Sequence, residues 1–164
     1  MRYVALLALL TLTSPTRAQL VDDGLAQGLL GLQWGSTLEQ VAQKYPGGLP
    51  YPTTRDRGTF VAHDIDVDAD LFGSPDLLPR ATFCFNSSGR LHKVFLQYLP
   101  EQHEQVLTRM VESLGQSYST GATKEESLYH WSTRSGPSVG ISIGKTKPKD
   151  WVILLIDPEP DRKR

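Results

Sequence analysis

Four aspartates at every second position, Asp64, Asp66, Asp68 and Asp70, are the residues of this chain best spaced for chemistry. On a strand, alternate residues share one face about 6.6–7 Å apart, so the row would concentrate negative charge on one side. Such charge can hold a cation or steer a basic partner. A calcium loop of the EF-hand kind needs Gly at its sixth position and Glu at its twelfth, where this chain has Ala69 and Pro75. A straight strand also cannot wrap its carboxylates around one ion. The row therefore reads as a wet acidic face that discourages edge-to-edge pairing, and the partner it suits is a protein with a basic surface. It is assigned no metal.

The remaining motifs fail for want of context. Gly136-Pro137-Ser138-Val139-Gly140 has the G-x-S-x-G pattern, but a nucleophile elbow needs a helix after the serine. Here alternating Val139, Ile141 and Ile143 predict a strand. Gly140 to Thr146 resembles a phosphate loop with one residue too few between its glycines, and Pro148 blocks the helix the loop would need. His63, His92, His103 and His130 show no zinc spacing. Cys84 is the single cysteine, so the chain has no internal disulfide, and Ala81 to Phe85 around it reads as a buried strand. Asn86-Ser87-Ser88 matches a glycosylation acceptor. Trp34, Trp131 and Trp151 are core candidates by size, and Trp34 and Trp131 are also candidate interface anchors if exposed. No cofactor is called for.

The elements that would position these residues are organised around Pro100 to Gly115. Val106, Leu107, Met110, Val111 and Leu114 recur at three- and four-residue steps, which predicts one amphipathic helix. Pro100 suits its first turn and Gly115 its end. A second helix is predicted from Ser36-Thr37-Leu38-Glu39, read as a capping box with Ser36 as the cap. Its apolar face is Leu38, Val41, Ala42 and Tyr45. Leu29 to Trp34 is read as a short strand or extended arm, Leu49 to Gly58 as a loop, and Thr59 to Leu71 as one long alternating strand. Arg80–Asn86 and Leu91–Leu99 are two strands joined by a hairpin turn. Ser117 to Glu126 is read as a loop, followed by strands near Leu128–Thr133, Val139–Ile143 and Trp151–Ile156. This order predicts an α+β fold: a mostly antiparallel sheet with two helices packed on one face, built from a helix-then-strands unit used twice.

Residues 1–18 combine a basic start, a short apolar core and the ending Thr16-Arg17-Ala18, the three parts of a secretory signal peptide. The apolar run is about 10 residues, half of the roughly 20 that span a bilayer. The expectation is cleavage after Ala18, one domain over residues 19–157, a flexible charged tail over 158–164, and a periplasmic or secreted location without membrane insertion. The formal net charge of the 164-residue chain is -1. Loss of Arg2 and Arg17 makes the mature chain more acidic, which argues against nucleic acid as a partner.

Gly31 to Val41, with its aromatic-Gly step before a Ser/Thr-capped helix, the Asn86 to Leu91 hairpin, the Leu114-Gly115 helix end and the Tyr129-His130-Trp131 strand resemble small exported bacterial domains. The layout is similar to the small outer-membrane-assembly lipoproteins (SmpA/BamE-like) and to beta-lactamase-inhibitor-protein-like domains. The chain lacks the lipoprotein cysteine at the cleavage point. The resemblance implies a protein-binding module without catalysis. The expected function is therefore an exported binding or accessory domain acting on another protein, with an inhibitor or immunity-type role as one form of it. The competing class is a small extracytoplasmic hydrolase or metal-dependent enzyme using His and Asp side chains.

Overall fold

The computed structural model describes residues 24–51, 58–62, 65–66, 76–116, 118–122, 126–132, 138–144 and 152–157. It is an α+β fold with antiparallel pairing throughout its described sheets. Helical residues 24–27 lead into a miniature hairpin, β1 (Gly28–Leu29) and β2 (Leu32–Gln33). The reading of Leu29 to Trp34 as one strand is thus corrected. Leu30 and Gly31 both take positive φ, 57° and 66°, the two-residue turn that reverses a hairpin tightly. Leu30 adopts this disfavoured conformation while buried, and its carbonyl accepts a bond from the Tyr45 hydroxyl at 3.0 Å.

Helix α1 (Leu38–Lys44) follows. Its cap is one residue later than the sequence suggests. The Thr37 hydroxyl accepts from the Gln40 N–H, and the Gln40 side chain accepts from the Thr37 N–H at 2.8 Å. Ser36 is diverted, because its hydroxyl donates to the Gln33 carbonyl at 2.7 Å. Four strands come next: β3 (Leu49–Tyr51), β4 (Gly58–Ala62), β5 (Arg80–Phe85) and β6 (Leu91–Tyr98). A 3-10 turn at Pro100–Gln102 then opens α2 (His103–Leu114), which ends at Gly115 with φ 84°. Four more strands complete the chain: β7 (Ser119–Ala122), β8 (Glu126–Ser132), β9 (Ser138–Gly144) and β10 (Val152–Asp157). Residues read from sequence as loops, at Leu49–Tyr51 and Ser119–Ala122, are therefore edge strands. Each is too short, at three and four residues, to show period-two alternation.

The large sheet has the order β3-β4-β5-β6-β10-β9-β8-β7. Each helix is thus followed by a four-strand meander, and the two meanders join where β6 pairs with β10. The registers run one row of paired residues through the sheet: Phe60, Phe83, Val94, Ile156, Val139 and Trp131. Phe60, Phe83, Val94 and Trp131 of that row are buried. Both helices reach it. The Tyr45 ring at the end of α1 stacks on Phe83 at 5.3 Å, and the Trp131 Nε1 donates to the Gly115 carbonyl at the end of α2 at 2.9 Å. From α2, Val106 and Met110 enter the same core. No helix among the described residues is long and apolar enough to cross a membrane.

Candidate binding surface

A sheet with one face given to the core presents its alternate residues on the other. Here the outer row is Leu49, Val61, Thr82 and Phe95, continued in register by Leu155, Gly140 and His130. Val61, Thr82 and Phe95 are half-buried and His130 is exposed. At its β3 end the face is strongly exposed: Leu49 by 72% and Tyr51, two residues along on the same face, by 65%. Two large apolar side chains together in the open are more informative than one alone. Pro50 between them fixes the backbone, and the Thr59 hydroxyl donates to the Tyr51 carbonyl at 2.9 Å. The loop reading of this stretch hid the pair.

Of the expected site residues, Asp66, Trp34 and Trp131 lie among the described residues. Asp66 is exposed and lies outside the described strands. The last described pair of β4 with β5 is Ala62↔Ala81, two residues on from Pro79. The Pro79 carbonyl accepts from the N–H of Ile65 at 3.0 Å, and Ile65 is buried. Asp64, Asp68 and Asp70 lie outside the described residues, as do His63 and Trp151. Trp131 is only 1% exposed and serves as core, not as an anchor at the surface. Tyr118 packs beside it, with ring centroids 4.9 Å apart. Trp34 is half-buried, and its Nε1 donates to the Leu25 carbonyl at 2.7 Å. It ties the leading helical residues to the β1–β2 hairpin.

Other titratable groups are explained by structure. His103 Nδ1 lies 3.1 Å from the Pro100 carbonyl at the start of α2, and its Nε2 lies 3.9 Å from Glu104. Burial pushes the Tyr45 hydroxyl up to about 12 and raises Tyr98 further. Glu39 is lowered, chiefly by its hydrogen bond with the Thr37 side chain. Asn86 in the acceptor pattern is a turn residue, its Oδ1 accepting from the N–H groups of Ser88 and Arg90, each at 3.0 Å. Ser138 of the G-x-S-x-G run begins strand β9, which gives it no helix N-terminus. Among the described residues no three His, Cys, Asp or Glu side chains gather in a way that could hold a metal ion. A recess of about 370 Å³ is lined, among the described residues, by Gly24 and residues 27–33, none of them ionisable.

The described residues define an α+β fold whose eight-stranded antiparallel sheet is built of two meanders. No protein-family model matches the chain, and no curated protein matches it. One solved structure that resembles it is a DUF4309 family protein (YjgB) from Bacillus subtilis. That likeness has 15% identity and a TM-score of 0.45, and covers 85% of this chain and 96% of the other.

Proposed function

We propose that this chain is an exported, non-catalytic binding domain that acts on another protein through the outer face of its sheet. The observation that supports this reading is the exposed Leu49–Tyr51 pair on edge strand β3. An aromatic ring and an aliphatic side chain side by side suit the apolar centre of an interface, with polar surroundings as its rim. An inhibitor or immunity-type role fits such a domain. In this proposal the acidic residues Asp64, Asp66, Asp68 and Asp70 steer a partner with a basic surface toward the domain, since charge of one sign mainly raises the rate of encounter.

The test is affinity capture from the native extracellular or periplasmic fraction, with the wild-type chain beside a Leu49→Asp/Tyr51→Asp variant. Both side chains are exposed, so the variant keeps its melting temperature. The expected result is a protein held in near-stoichiometric amount by the wild type and lost by the variant. Equal capture by both would remove this surface from the account. Sequencing of the exported chain checks the location: its first residue is expected to be Gln19.

A further inference from the structure

We propose that the chain pairs with a second copy of itself through β7, as a weak two-fold dimer in which the two sheets run on as one. The two outer edges of the eight-stranded sheet are chemically unlike. On β3, Pro50 has no N–H, so its pairing with Phe60 cannot be the hydrogen-bonded kind. The ladder bonds therefore lie at Leu49↔Val61 and Tyr51↔Thr59, and the backbone group facing outward is that of Pro50. This edge offers an acceptor and no donor, which blunts it against a further strand. At the other end β7, Ser119-Thr120-Gly121-Ala122, is exposed along its whole length and carries neither proline nor charge. Its outward N–H and C=O groups form a complete set for strand addition.

A second copy is the occupant these edges fit. A sheet with two competent edges would add molecules without end, whereas one open and one blunted edge stops at two. Self-pairing brings identical side chains face to face, which is tolerable only without like charges, and β7 has none. The register is also constrained. To keep core face with core face, an antiparallel pair must centre on a residue, and the inner residues of β7, which give the longest overlap, are Thr120 and Gly121. Centring on Gly121 sets two glycines at the axis, with no side-chain contact there, and Thr120 against Ala122. Centring on Thr120 sets Thr120 against its counterpart, Ser119 against Gly121, and Tyr118 against Ala122. Threonine pairs across strands are favourable, and the half-buried Tyr118 gains a small neighbour. Edges this short bury well under the roughly 1,200–2,000 Å² of stable complexes, so the association is weak.

The test is sedimentation of the purified chain from about 1 μM to about 1 mM, a range that spans weak affinities. A monomer–dimer equilibrium is expected. Thr120→Lys and Thr120→Glu are each expected to weaken it about tenfold or more, because like charges meet at the two-fold axis. An equimolar mixture of the two variants is expected to restore the dimer, a recovery that local damage would not produce. Glu104→Lys, at an exposed position of α2 away from both sheet edges, is expected to leave dimerisation unchanged. A monomer at every concentration, a dimer indifferent to Thr120, no recovery on mixing, or growth into open-ended species would each overturn the proposal.

Discussion

The two helix-and-meander halves of this molecule hold their helices in different ways. Helix α1 has seven residues and buries only Val41 fully. It is fixed at its ends, by the reciprocal Thr37–Gln40 bonds at one and by Tyr45 at the other. Helix α2 has twelve residues, no side-chain cap of its own, and a buried stripe of Val106, Met110 and Ser113. Isolated short helices are marginal in water, so a helix that cannot bury much must be capped and pinned. A longer one is held by its apolar face. The sheet beneath is shared, but the control of helix position is local in the first half and distributed in the second.

The largest effect expected from this contrast is in α2. Met110 has no exposure, so Met110→Asp sets an unpaired carboxylate in the core. It is expected to cost roughly 3 kcal/mol or more out of a total of roughly 5–15, enough to unfold much of the population. Leu114→Asp, at a half-buried position, is expected to cost clearly less. Thermal melts of both variants decide this, and equal losses would contradict the stripe. The next effect joins the second half to its sheet. Trp131→Ala removes a buried indole and its bond to Gly115, and about 3–5 kcal/mol is expected to go with them.

The first half should answer to its caps. Thr37→Ala is expected to cost about 1 kcal/mol, a fall of about 2–4 °C in melting temperature. Ser36→Ala tests the alternative cap and should cost less, since the Ser36 hydroxyl bonds Gln33. The effect at Tyr45 shows itself mainly at alkaline pH. Its folded pKa is raised to about 12 by burial, so the neutral form is favoured on folding. Its stabilisation is complete below the unfolded value near 10, and is lost as pH rises from there through about 12. Tyr45→Phe should weaken this alkaline loss at a cost of about 1 kcal/mol at neutral pH, for the bond to Leu30. Alkaline melts that are the same for both chains would contradict it.

Where burial and period act together, the sequence is readable. The β5–β6 hairpin, the α2 stripe and the α+β class follow from alternation and three-to-four spacing in Arg80–Phe85, Leu91–Tyr98 and Val106–Leu114. What escaped was short or decided by a competitor. Strands β3 and β7 are too brief for a period, and β3 contains a proline, which only an edge strand accepts. Ser36 and Thr37 are equally good caps by type, and a tertiary bond to Gln33 settles between them. Ser113 sits in the buried stripe although its hydroxyl makes it read as polar. The Leu49–Tyr51 surface was hidden with β3, because exposure is a property of the assembled sheet.

The join of the two halves at β6 and β10 makes one sheet of two meanders. Native-state amide hydrogen exchange tests it directly, because strands that open together exchange with one free energy. Amides of β5, β6, β10 and β9 are expected to exchange slowest and to share a common opening free energy, while β3 and β7 at the edges exchange fastest. If β7 to β10 opened far more readily than β4 to β6, as a separate unit, the continuous sheet would be contradicted.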